Sequence, residues 1–330
     1  MPIVAHPKLP SLSKLKTEDL IIADASSLAK EFHQELRIGL LNLMPDAALQ
    51  ATERQFIRML GSDENILVHV YPTTVGSSKR GEEFQDYIAK NYNDISTIYA
   101  SKLDGLIISG TNPSKPDMTE EPFWAPLVEV MDWAMENTNS ILCSCLATHA
   151  LLKYYFNIDR ELRGQKSWGV FPHTVANSSN PLIAGLDDSF MGLHSHFYDL
   201  PLKKIQDTDL EILAYNSQAG FFLASTTDTK LVLYQGHPEY DAISLLKEYQ
   251  REITNFLSGL RPDYPPLPEN YFSKAAISVL ENFQKKVLLT KEQSNFPEAR
   301  LSELVKVEWR HPGKILYKNW LNILAKERES

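Results

Sequence analysis

Near-continuous apolar runs of strand length, each followed by helical spacing, constrain this chain more than any other feature. Leu36–Leu43 (LRIGLLNL) is the first such run. A strand without polar alternation is buried on both faces, as in the middle of a parallel sheet. Helical spacing follows from Ala47 to Leu60, with Leu49, Phe56, Ile57 and Leu60 on one side. The alternation then repeats, with strands at Asn65–Tyr71, Leu103–Ser109 and Ser140–Ser144, and helices at Gly81–Tyr92, Pro126–Met135 and Leu146–Tyr155. It predicts an α/β fold of three layers with a doubly wound, mostly parallel sheet. From Lys166 the pattern shortens. Strands at Trp168–His173, Leu210–Tyr215, Gly220–Ser225 and Lys230–Gln235, separated by turns, predict antiparallel additions to the same sheet. A helix over Ile243–Leu257, a rigid loop at Pro262–Pro268 and helices over Ala275–Lys286 and Ile315–Lys326 complete the chain. The expected parse is an N-terminal arm (1–35), a catalytic α/β domain (36–260) and a C-terminal extension (261–330) packed on it.

Charge narrows the partners. A net charge of −9 argues against nucleic acid, since phosphate binding needs clustered Lys and Arg. The longest apolar runs are strand-sized, so no membrane partner is expected. Met1–Leu15 has no apolar core of the secretory kind. The only thiols are Cys143 and Cys145, too close together to close a useful disulfide loop, and a reducing cytoplasm is the natural compartment.

Cys145 ends a strand and begins a helix. A side chain at that junction projects above the sheet edge, beside the free N–H groups and positive dipole of the helix N-terminus. Those groups favour a thiolate and can hold an oxyanion. Cys143, still inside the strand, reads as a buried structural thiol. A thiol nucleophile needs a base oriented by a carboxylate. Of nine histidines, His237 follows the strand Lys230–Gln235 and the turn at Gly236, on the sheet edge where chemistry gathers in parallel sheets. Glu239 stands two residues on and can fix its tautomer. His149 is a rival base four residues after Cys145, but suits a residue packed beside the site. His194 and His196 alternate as strand metal ligands do, without a third ligand nearby in sequence, so no metal is expected.

With these residues assembled, the chain resembles the homoserine O-acyltransferase family. The matching segments are Leu41-Asn-Leu-Met-Pro45, Leu103–Gly110, the Cys145 elbow, Phe190–Ser195, Gly236-His-Pro-Glu-Tyr-Asp-Ala242, Trp309–Arg310 and Tyr317–Leu321. The family is similar in fold to class I glutamine amidotransferases, with their flavodoxin-like sheet. The resemblance implies Cys145 as acyl-thioester nucleophile, His237 as proton acceptor, Glu239 as its orienting partner, and substrate contacts from Lys166, Ser195 and Arg251. It implies a ping-pong transfer from acyl-CoA to L-homoserine in methionine biosynthesis, with acyl-CoA as co-substrate and no bound cofactor. The backbone N–H groups of Leu146 and Thr111 would hold the oxyanion. Ser114 stands where the family discriminates acyl donors. It is small and uncharged, which favours a succinyl group over acetyl. Asp46-Ala47 replaces a common basic pair, and His196 replaces a common Arg, which brings L-serine in as a second acceptor.

Two other readings stay open: an amidotransferase-like hydrolase on the same triad, and a non-catalytic relative. By symmetry frequency alone, a homodimer is the expected oligomer.

Overall fold

The computed structural model describes residues 2–7, 9–15, 21–22, 34–76, 80–292 and 295–329. Most of the expected N-terminal arm, 16–20 and 23–33, lies outside the described residues. The apolar runs form the centre of one mixed sheet. β3 (Gln34–Leu41), β4 (Ile66–Thr73), β5 (Gly105–Ile108), β6 (Ser140–Ser144) and β11 (Leu231–Tyr234) run parallel. β1 (Pro2–Ala5) and β2 (Ile21–Ile22) extend the β4 side, also parallel. On the far side of β11, β10 (Gly220–Thr226), β9 (Leu210–Asn216), β7 (Glu161–Val175) and β8 (Ser189–Asp199) continue antiparallel. The strand order is β2-β1-β4-β3-β5-β6-β11-β10-β9-β7-β8.

Helices cover both faces, as apolar central strands require. Against one face, Phe56 and Ile57 of α2 (Asp46–Leu60) and Trp320 and Leu324 of α11 (Arg310–Glu329) pack on Ile38 and Leu40 of β3. Against the other, Leu127 and Val130 of α5 (Trp124–Asn137) and Leu151 of α6 (Leu146–Phe156) pack on Ile108 and Ile141. Each such side chain, fully buried, contributes about 1.5–3 kcal/mol. A third cluster joins Trp168 and Val170 of β7 to Tyr249 of α8 (Ser244–Leu257), Leu280 of α9 (Lys274–Thr290) and Trp309. Among the described residues, the remaining α-helices are α1 (Leu12–Leu15), α3 (Glu82–Asn91), α4 (Ile95–Ala100), α7 (Leu202–Gln206) and α10 (Glu298–Ser302).

Several elements differ from the sequence expectation. β8 and α4 were not expected, and β7 is much longer than Trp168–His173. Glu161 and Leu162 pair with Asp199 and Tyr198 of β8, and the register then shifts before Ser167, which explains why Arg163–Lys166 reads as loop. α11 starts at Arg310 rather than Ile315. Pro312 falls in its first turn, where a missing N–H costs nothing.

Candidate active site

Two neighbouring parallel strands set the site. Ser144 at the end of β6 is in register with Tyr234 at the end of β11, so the segments leaving these two strands meet at one sheet edge. Cys145 has φ 50° and ψ −108°, an unusual conformation for a residue with a Cβ. It turns the chain sharply from β6 into α6. Its N–H donates to the Tyr234 carbonyl at 2.8 Å, and the Thr148 hydroxyl donates to the same carbonyl at 2.8 Å. The elbow is thus tied to β11. Cys145 is partly exposed, while Cys143 is fully buried and burial pushes its thiol pKa up.

The chain leaves β11 through Gly236. A Cβ there would lie 2.2 Å from the Phe222 ring, so only glycine lets the turn sit this close. His237 N–H then donates to the Leu193 carbonyl of β8 at 2.8 Å. His237 Nδ1 lies 2.8 Å from Glu239 Oε1, and both side chains are buried. With Nδ1–H donated to the carboxylate, Nε2 is the nitrogen available to the Cys145 sulfur, which interacts with the ring electrostatically. Burial by itself would depress the imidazole pKa. The Glu239 carboxylate and the Cys145 sulfur outweigh it and raise the pKa, so the imidazolium persists through neutral pH. The Tyr240 ring stacks on His237 with centroids 4.1 Å apart. Ser144 Oγ donates to Glu239 Oε1 at 3.4 Å.

Gly110, just after β5, stands directly beside the elbow: a Cβ on it would come within 3.5 Å of Cys145 Cβ and 3.6 Å of the Leu146 nitrogen. The backbone at Gly110–Thr111 therefore borders the Cys145 side chain. Leu146 opens α6, and a first-turn N–H has no acceptor within its helix.

Lys166 and Ser195 meet across the β7–β8 hairpin at a residue the sequence did not single out, Glu248 of α8. Lys166 Nζ and Ser195 Oγ donate to Glu248 Oε2 at 2.7 and 2.6 Å, and Tyr240 OH donates to Oε1 at 3.3 Å. Burial would raise the carboxyl pKa, but the Lys166 charge and the donated hydrogen bonds lower it. Arg251 adds its field to Glu248, although its own side chain is 59% exposed. A lone Glu on an amphipathic helix reads as solvated, and no sequence signal marks it out. In the loop after Gly110, Ser114 N–H and Oγ both donate to the Glu121 carboxylate. Asp46 is paired with Arg80 Nη1 at 2.9 Å and accepts Gly81 N–H at 2.9 Å, so its charge is neutralised locally.

His149 is not placed to serve as a base. It is buried, its Nε2 lies 2.5 Å from Gln235 Oε1, and burial pushes its pKa down to about 4. His194 and His196 form a string with His173. It runs from the Phe171 carbonyl to His173 Nδ1 at 2.9 Å, from His173 to His194 at 2.8 Å, from His194 to His196 at 3.1 Å, and from His196 to the Tyr198 carbonyl at 2.8 Å. Both ends are acceptors, so the four contacts call for four protons, while three neutral imidazoles carry three. Among the described residues, no group of three or more His, Cys, Asp or Glu could hold a metal ion.

Acid should destabilise the protein through these rings. Burial pushes His149 and His173 down to about 4, whereas an unfolded histidine titrates near 6.5. Between those values the unfolded chain binds protons that the native one does not, so stability falls as pH drops from about 6.5 to about 4. Each ring is expected to withdraw about 3 kcal/mol over that window. His237 acts in the opposite sense: its contribution is complete below the unfolded pKa and is lost as pH rises toward its raised value. Urea midpoints that stay constant from pH 7 to 4.5 would contradict neutral burial of His149 and His173.

The fold and the site define a class: an α/β protein with a cysteine elbow at a strand end, opposed by a histidine held by a carboxylate. Within that class, the chain belongs to the homoserine O-succinyltransferase family, a family of acyltransferases, which it matches over residues 2–330. It is 44% identical to the homoserine O-succinyltransferase of Methylobacter tundripaludum over 327 residues, covering 97% of this chain and 92% of that protein. It is 41% identical to the homoserine O-succinyltransferase of Methylococcus capsulatus, with the same coverage. Among solved structures it is similar to a glutamine amidotransferase from Thermotoga maritima, at 12% identity and a TM-score of 0.47, covering 88% of this chain and 99% of that one.

Proposed function

We propose that the protein moves a succinyl group from succinyl-CoA to the hydroxyl of L-homoserine through a thioester on Cys145, a step of methionine biosynthesis. The observation that carries this reading is the 2.8 Å contact of His237 Nδ1 with Glu239 Oε1, which leaves Nε2 for the elbow sulfur. The proton of the Cys145–His237 pair sits on His237, and the thiolate attacks the thioester carbonyl. Leu146 N–H and the backbone N–H of Thr111 hold the oxyanion. The carbon–sulfur bond to CoA breaks, and the leaving thiolate takes the proton from His237. Homoserine then gives its hydroxyl proton to His237 and attacks the acyl-enzyme. The Cys145 thioester breaks, and the proton returns to the cysteine.

The amino acid is held by the Lys166–Ser195–Glu248 cluster with Arg251. Glu248 suits the substrate ammonium, and Lys166 and Arg251 suit its carboxylate. Ser114, small and uncharged, leaves room for the longer donor.

Intact-protein mass spectrometry after mixing with succinyl-CoA tests the reading. A succinyl adduct mapping to Cys145, discharged by L-homoserine to O-succinylhomoserine, is expected. The same measurement with acetyl-CoA and L-serine ranks the other donor and acceptor. The absence of an adduct with every acyl-CoA would overturn acyl transfer. An adduct that homoserine leaves intact would overturn the acceptor.

A further inference from the structure

We infer that Arg160 recognises the distal carboxylate of the acyl donor and makes the protein selective for a dicarboxylic acyl group; this rests on the acyl-transfer reading above. Arg160 lies between α6, which Cys145 opens, and β7. Its guanidinium lies over the Tyr198 ring, 3.9 Å from the centroid, a placement that suits a weakly hydrated planar cation. Its Nη2 donates to the carbonyls of Lys115 and Pro116 at 3.3 and 3.1 Å. One side of the fork therefore fastens the loop that carries Ser114. The Nε–H is buried and has no hydrogen-bond partner.

Charge points the same way. Arg160 is in no ion pair among the described residues. The nearby Glu121 carboxylate is turned to the Ser114 amide and hydroxyl and to the Lys115 amide. Half-burial depresses the guanidinium pKa, while Tyr198, Cys145, Glu121 and Asp117 oppose this through their fields. The cation thus holds the loop that leaves Gly110, itself beside the Cys145 side chain, and carries an N–H lacking an acceptor. A buried donor of that kind costs free energy until it is paired. A carboxylate at the far end of a four-carbon acyl group on Cys145 is an acceptor of the right charge, and a guanidinium grips carboxylates through two donors. An acyl group that ends in a methyl offers nothing to the Nε–H.

The test compares acylation of Cys145 by succinyl-CoA with that by butyryl-CoA, which has the same chain length and no carboxylate, read by intact mass without an acceptor. The wild type should favour succinyl-CoA. Arg160→Gln should lower the succinyl-to-butyryl rate ratio about 10- to 100-fold, the loss expected for a charge-assisted contact, and leave the butyryl rate within about threefold. Arg160→Lys, which keeps the charge and loses the fork, should fall between the two. Because the ratio is taken within one protein, a general loss of folded enzyme cancels. A wild type that takes both donors equally, or an Arg160→Gln variant whose two rates fall in parallel, would overturn the role of Arg160 and leave acyl transfer standing. A wild type acylated by neither donor would overturn the succinyl-transfer reading itself, and the Arg160 assignment with it.

Discussion

Replacing Cys145 by alanine is expected to lower kcat for succinyl transfer by at least about 10⁴-fold, since residues of a triad act as one unit. Stability should hardly change. The side chain is partly exposed and fills no core, and alanine carries the same Cβ at φ 50° as cysteine. The hydrogen bond from residue 145 to the Tyr234 carbonyl belongs to the backbone and survives. Cys143→Ala makes the contrasting case. It removes a thiol buried in β6 and should cost stability while leaving formation of the acyl-enzyme intact. Product formation followed by chromatography, together with thermal denaturation of both variants, checks the pair. A Cys145→Ala variant with near-normal turnover would rule out the thioester.

Glu239→Gln should produce the second-largest loss, about 10³- to 10⁴-fold in kcat, comparable to neutralising the carboxylate of a serine-protease triad. The carboxylate is buried, and with the Cys145 sulfur it keeps the imidazolium charged against burial. An amide of the same shape keeps the packing and removes the charge. Burial then wins, His237 becomes neutral near pH 7, and the proton it should hold for the sulfur has no site. The variant should therefore react slowly with iodoacetamide at neutral pH, where the wild type reacts quickly. Equal alkylation rates would show that Glu239 does not set the charge state of the pair.

The parts of this site that were legible in the sequence are those set by local pattern. Ser140–Leu146 changes from strand to helix within a few residues, and Gly236 to Glu239 form one turn, so the Cys145 elbow and the His237–Glu239 pair could be placed without knowing which strands are neighbours. The grouping of Cys145, His237 and Glu239 was readable because its geometry comes from strand ends. Glu248 and Arg160 were not readable. Each is a charged residue in a stretch that looks solvated, and only the β7–β8 hairpin brings Lys166, Ser195 and Tyr198 against them. β8 escaped notice for a related reason. Its inward positions include His194 and His196, and a strand that buries imidazoles lacks the apolar alternation by which strands are found. The helix expected from Ile315 begins at Arg310, with Pro312 in its first turn.

The register of β6 with β11 also governs when the site comes into being. Ser144 and Glu239, which share a hydrogen bond, are 95 positions apart. The strands β7 to β10 lie between them in the chain, so bringing β11 beside β6 closes a long loop. Loop closure of this span is slow compared with forming a single strand–helix unit. During synthesis Cys145 therefore emerges well before His237. α11 locks the pair from beneath: the Trp320 indole donates to Ser140 Oγ at 2.9 Å, and Tyr317 stacks on Tyr234. The contact between Cys145 and His237 thus depends on segments far apart in the chain, the C-terminal helix among them.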